Sequence, residues 1–175
     1  MKQLYVFLSL LFFVNCQAKT PSKIANKAAP SKIHPVAILN TNAGSIYIEF
    51  YSNKAPKTVE RITQLIKTDF YNGVQFHRVI PNFVAQAGDP TGTGVGGSGK
   101  KINAEFNDLI HTKGTVAMAR LGHDENSADS QFYIALSTLP HLDGKYTIFG
   151  KVIEGIDLLD KVKKGDKIIS FKMKD

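Results

Sequence analysis

The sequence predicts a mainly β protein, a closed eight-stranded antiparallel barrel capped by two α-helices. Three observations carry this expectation: about eight short apolar or alternating runs of strand length, only two segments with helical apolar spacing, and too few helices to supply the crossovers of a parallel sheet. Closing such a sheet would remove its edges, and the helices would plug its ends.

Residues 36–39 and 45–51 open the pattern as a hairpin. In the second run Ile46, Ile48 and Phe50 alternate with Ser45, Tyr47 and Glu49, as in a half-buried strand. Pro56 then begins a helix in which Val59, Ile62, Leu65 and Ile66 share one face, opposite Lys57, Glu60, Arg61, Gln64 and Lys67; it is expected to end near Asn72-Gly73. Further strands are expected at 75–80, 83–87, 115–119, 131–136, 147–152 and 167–173. A second helix is expected at 156–163, where Ile156, Leu158, Leu159 and Val162 form the apolar stripe. No internal repeat is present.

The chain divides into a signal peptide at 1–16, a basic tether at 17–34 and one domain at 35–175. Met1-Lys2 gives a charged start and residues 4–14 are apolar apart from Ser9. That run is shorter than the roughly 20 residues of a membrane-spanning helix, so it reads as a secretory signal. The only cysteine, Cys16, follows the run directly, where a bacterial lipoprotein would carry its lipid. The rival is an ordinary cleavage after Ala18, with Cys16 and Ala18 as the small-residue pair. Export to the bacterial periplasm, or anchoring to a membrane through lipidated Cys16, is therefore expected.

The formal net charge of +7 does not indicate nucleic-acid binding. Lys2, Lys19, Lys23, Lys27 and Lys32 all lie in the signal and tether, leaving 17 basic and 15 acidic residues over 35–175. Residues 92–101 imitate two nucleotide signatures. Gly92, Gly94 and Gly97 satisfy G-x-G-x-x-G; Gly94, Gly99 and Lys100 satisfy most of a P-loop, but Lys101 stands where Ser or Thr would hold magnesium, and no amphipathic helix follows. A flexible loop bordering a groove is the better reading. The five histidines have no ligand spacing, so no metal is expected. Ser127, Ser130, His123 and Asp124 lack the G-x-S-x-G elbow of a hydrolase.

Three segments carry the functional reading: residues 76–86 (FHRVIPNFVAQ), 130–134 (SQFYI) and 142–152 (LDGKYTIFGKV). In order and spacing they resemble the signature segments of the cyclophilin family of peptidyl-prolyl cis/trans isomerases, and the resemblance extends over essentially all of 35–175. It implies the family's barrel fold and isomerisation of X-Pro bonds in exported polypeptides, assisting folding, without a cofactor. It also implies that Arg78 is the catalytic cation, that Phe83, Val84, Tyr133 and Leu142 line a pocket for the proline ring, and that Gln86 and Gln131 are polar partners there. Gly94, Ala119, Arg120 and Leu121 would border the neighbouring groove. His141 and Tyr146 complete the binding set at positions where the best-known members carry Trp and His. Val84, Arg120 and Tyr133 replace a common Met, Asn and Phe. Without the indole at 141, weak cyclosporin binding is expected. The partners expected are proline-containing polypeptides, met by a monomer; the alternative function is a chaperone or assembly factor that grips such segments with incidental turnover.

Overall fold

The computed structural model describes residues 34–175. The expected signal at 1–16, Cys16, Ala18 and the expected tether up to residue 33 lie outside the described residues. Eight strands form one antiparallel sheet: β1 (Val36–Thr41), β2 (Gly44–Phe50), β3 (Arg78–Ile80), β4 (Val84–Ala87), β5 (Thr115–Met118), β6 (Phe132–Ala135), β7 (Ile148–Glu154) and β8 (Ile168–Met173). Their spatial order is β3-β4-β6-β5-β7-β2-β1-β8.

The expected closed barrel is corrected to a curled half-barrel whose edge strands, β3 and β8, do not pair. β3 is only three residues long, too short to complete a ladder. The gap is spanned instead by the stretches preceding these strands. Gln75 and Lys167 form an isolated bridge, Phe76 donates its amide to Asp166 at 2.8 Å, and Ile168 donates to Val74 at 2.8 Å. Backbone groups at the seam are thus satisfied without a continuous strand pair.

Helix α1 (Pro56–Lys67) buries Val59, Ile62, Leu65 and Ile66, the predicted face, and Thr58 beside them. Ala55 gives its first turn no side-chain cap; Glu105, from a distant loop, accepts the amides of Lys57 at 3.0 Å and Thr58 at 2.8 Å. The helix stops about five residues earlier than expected. There the Thr68 hydroxyl bonds the Leu65 carbonyl at 3.1 Å, and Asp69 turns left-handed at φ 54°. The second expected α-helix is a 3-10 helix, Ile156–Lys161, in which only Leu159 is buried. It is confined between Gly155, left-handed at φ 81°, and the extended Val162. A further 3-10 turn, Pro140–Leu142, was not expected.

The central strands β4, β5 and β6 are buried on both faces, and this decides where the site lies. Ala85, Ala87, Val116, Met118, Phe132 and Ile134 enter the main core, together with Phe50, Tyr71 and Phe171. The alternate residues Val84, Ala117, Tyr133 and Ala135 form a second cluster with Leu139 and Ile148. Phe83, Leu142 and Tyr146 pack against that second cluster from its solvent side. The period-two alternation of the strands therefore separates scaffold from site.

Candidate active site

The β3–β4 turn places the first site residues. Pro81 and Asn82, left-handed at φ 57°, form its corner, and Phe83 donates its amide back to Ile80 at 3.0 Å. The resulting register sets Arg78 directly opposite Gln86. The exposed Arg78 guanidinium donates from Nη1 to Gln86 Oε1 at 3.4 Å and lies 5.4 Å from the centre of the Phe83 ring. Gln86 in turn donates to Gln131 Oε1 at 2.9 Å, and Gln131 donates to the carbonyls of Gly94 at 3.0 Å and Gly96 at 2.8 Å. One polar chain therefore connects the cation to the Gly-rich loop.

Beside Arg78 is a cavity of about 230 Å³. Phe83, Val84, Tyr133 and Leu142 provide its apolar wall, and Gln86, Ala119, Arg120 and Tyr146 complete its lining. Val84 and Tyr133 are 3% and 5% exposed, as buried as the core, while Phe83 and Leu142 are half-buried. Tyr133 and Tyr146 meet edge to face with ring centres 5.7 Å apart. His141 does not line the cavity. It stacks on Phe83 at 5.9 Å with a 10° interplanar angle and so holds the wall from outside.

The Tyr133 hydroxyl points away from the cavity to the fully buried His111, which it meets at Nε2 at 2.9 Å. His111 Nδ1 lies 2.7 Å from Asp143 Oδ1, which also accepts the His111 backbone amide at 2.7 Å. An ionised carboxylate only accepts, so Nδ1 is the donor, and in neutral imidazole Nε2 then accepts the phenolic proton. The backbone amide and then the ring of His111 hold the Asp143 carboxyl below its usual range. Burial first, then Tyr146 and Asp143, push the Tyr133 phenol well above its ordinary value, so it remains a neutral ring facing an apolar space.

A second cavity of about 370 Å³ adjoins the first and shares Gln86, Ala119 and Arg120 with it. Gly94 and Leu121 line it; Gln131, expected beside the proline pocket, lines this cavity and not the smaller one, and Val95, Gly96, Gly97, Lys101, Ser127 and Asp129 line it as well. Two carboxylates fix the Gly-rich loop here. Asp89 accepts the amides of Thr91 at 2.7 Å and Gly94 at 2.6 Å. Its burial would raise its pKa, but hydrogen bonds from Thr91, Gly94 and Gly96 win and hold it far below the usual carboxylate range. Asp129 accepts the amides of Ser98 at 3.1 Å and Gly99 at 2.8 Å, and the Ser98 hydroxyl. Glycine is needed at 96 because a Cβ there would sit 2.1 Å from Asp89 Oδ1. The loop's amides are directed at protein carboxylates, an arrangement unlike a phosphate cradle.

Every candidate residue from 78 to 146 except His141 thus borders one of two adjoining cavities. The sequence reading missed His111 and Asp143 as supports, because only the fold brings them behind Tyr133. Asp129 adjoins the segment 130–134, but only the fold brings the amides of Ser98 and Gly99 to its carboxylate. Among the described residues no group of three or more His, Cys, Asp or Glu could hold a metal ion.

The family model described as cyclophilin type peptidyl-prolyl cis-trans isomerase/CLD matches residues 36–173. A peptidyl-prolyl cis-trans isomerase of Helicobacter pylori strain 26695 is 46% identical over 138 residues, which are 77% of this chain and 83% of the relative. One of Synechococcus elongatus is 45% identical over 139 residues, 78% of this chain and 94% of the relative. The crystal structure of a cyclophilin type peptidyl-prolyl cis-trans isomerase of Cryptosporidium parvum matches with a TM-score of 0.78 at 30% identity, covering 81% of this chain and 98% of that one. Its structure in the presence of the dipeptide Ala-Pro matches with a TM-score of 0.75.

Proposed function

The chain belongs to the cyclophilin-type family and is a peptidyl-prolyl cis-trans isomerase; from that premise we propose that Arg78 stabilises the twisted amide of a proline held in the 230 Å³ cavity. Rotation about a peptide bond faces a barrier of about 18–20 kcal/mol because the nitrogen lone pair is conjugated with the carbonyl. X-Pro exchange therefore takes about tens to hundreds of seconds unaided. In the twisted state the lone pair is localised on nitrogen, and a guanidinium donating to it stabilises that state more than the planar one.

The single observation that supports this role is the position of Arg78 at the lip of the apolar wall, 5.4 Å from the Phe83 ring and steadied by Gln86. A charge-assisted hydrogen bond contributes about 1.5–3 kcal/mol, or about one to two decades of rate. The rest of the acceleration is assigned to the cavity. Phe83, Val84, Tyr133 and Leu142 immobilise the ring, so that only the preceding residue turns.

Cis-to-trans exchange of a short prolyl peptide, measured with the 35–175 domain and with Arg78→Ala, tests the role. The variant is expected to lose about one to two decades of kcat/KM. Undiminished exchange would remove Arg78 from the mechanism. The same pair of proteins distinguishes catalysis from a chaperone or assembly role: peptide binding and cellular role retained without exchange would favour the binding module.

The reading extends to location. The apolar run at 4–14, the adjacent Cys16 and the basic tether at 17–34 support export from a bacterial cytoplasm and lipid attachment at Cys16. The clients are then proline-containing segments of exported polypeptides. Mass spectrometry of the mature N-terminus tests this: acylated Cys16 is expected, and an unmodified start at Lys19 would assign the cut to Ala18.

A further inference from the structure

We infer that Arg120 makes this isomerase selective for prolyl segments carrying a carboxylate side chain on the flank that lies in the second cavity. The inference rests on the isomerase reading and deepens it to a substrate class. The two cavities share Gln86, Ala119 and Arg120. A chain whose proline ring occupies the smaller one passes Arg120 on entering the larger.

Arg120 is held as a fixed cation at that junction. Its Nε donates to the Lys145 carbonyl at 2.9 Å, and its Nη1 to the carbonyls of Leu121 at 2.9 Å and Gly122 at 3.2 Å. Its Cζ lies 4.9 Å from the centre of the Tyr146 ring. All these partners are neutral, so they set the direction of the guanidinium without cancelling its charge. Among the described residues no carboxylate pairs with it, and Nη2 makes no hydrogen bond.

Asp129 also lines the larger cavity, and its neutral partners Ser98 and Gly99 leave its charge in place beside the Gly-rich loop; the carboxylate preference is therefore set where a chain passes Arg120, at the residues both cavities share. Lys101 pairs with Asp124 at 3.3 Å. A ligand carboxylate therefore meets a guanidinium with one edge open and its orientation already set, which lowers the ordering cost of the contact. A ligand ammonium at the same place meets repulsion.

Two series of blocked peptides test this, acetyl-Xaa-Ala-Pro-Ala-amide and acetyl-Ala-Ala-Pro-Xaa-amide with Xaa as Glu, Gln or Lys, followed by exchange NMR. In one series the Glu peptide is expected to exceed the Lys peptide in kcat/KM by about fivefold or more, the upper range for exposed charge pairs. The ratio should approach one in about 1 M salt, where the Debye length is about 3 Å. It should fall to about one in Arg120→Gln, persist in Arg120→Lys and invert in Arg120→Glu. Each ratio is taken within one protein, so a general loss of activity cancels. Equal turnover of Glu and Lys peptides by the wild type in both series overturns the proposal, as does a ratio unchanged in Arg120→Gln. If even the Gln peptides were not turned over, the isomerase reading would fail separately. The peptides' dissociation constants would then decide the charge preference, and equal values would overturn it.

Discussion

The Tyr133 hydroxyl and the His111 ring, 2.9 Å apart, tie the wall of the 230 Å³ cavity to a buried polar pair beneath it. Asp143 completes the chain and adjoins Leu142 of the same wall, so one hydrogen-bonded series fixes two wall residues from behind. Tyr133→Phe should leave His111 Nε2 buried and unpaired, lowering stability by about 1–3 kcal/mol. The ring facing the cavity is unchanged, so kcat/KM should fall less than about threefold, under 1 kcal/mol. Asp143→Asn should be non-additive with it by about 0.5 kcal/mol or more. Urea unfolding of the two single variants and the double variant measures both; strict additivity would mean the three groups act independently.

Gln131 joins Gln86 to the Gly-rich loop, so its effect should be felt at both ends. Gln131→Ala removes the acceptor for Gln86 and the donor to the carbonyls of Gly94 and Gly96. With hydrogen bonds worth about 1 kcal/mol each, kcat/KM is expected to drop about tenfold. Amide hydrogen exchange over 94–97 should accelerate. Unaltered exchange would show that Asp89 and Asp129 alone hold the loop.

Asp89 should produce part of the acid limb of the stability curve. Its folded pKa lies far below its unfolded one, near about 3.9. The stabilisation is therefore complete above the unfolded value and is lost as pH falls toward the folded one. The urea midpoint should decline below about pH 4. Asp89→Asn should lower stability at neutral pH and flatten that decline, while Asp108, Asp124 and Asp143, also held below their usual range, keep a residual slope. A variant with an unchanged midpoint at neutral pH and an unchanged slope would contradict the assignment.

His141 gives a test at the rim. It stacks on Phe83 but lacks an indole donor and a large apolar face. Cyclosporin should bind weakly, and His141→Trp should tighten it. A nanomolar Kd for the wild type by titration would refute this.

The alternation of short strands made the sheet legible in the sequence, because Ile46, Ile48 and Phe50 can only be core on one face. Arg78, Phe83 and Gln131 were legible by resemblance, since their segments are contiguous. What escaped was non-local or geometric. Closure fails at a three-residue β3, a length that periodicity does not fix, and Glu105 caps a helix 47 residues away. The 3-10 form of Ile156–Lys161 follows from Gly155 and from a single buried Leu159, although its apolar pattern suits either helix. His111 looked idle for the same reason: its partners are 22 and 32 positions distant.

Because β4, β5 and β6 are occupied on both sides, recognition and folding draw on the same four-residue segments. Laboratory evolution that randomises Val84, Ala117 or Tyr133 will lose most of its library to misfolding before any new specificity is screened. Diversity placed at Val95, Lys101 and Leu121, all solvent-facing, should leave the scaffold intact and retune which sequences are admitted.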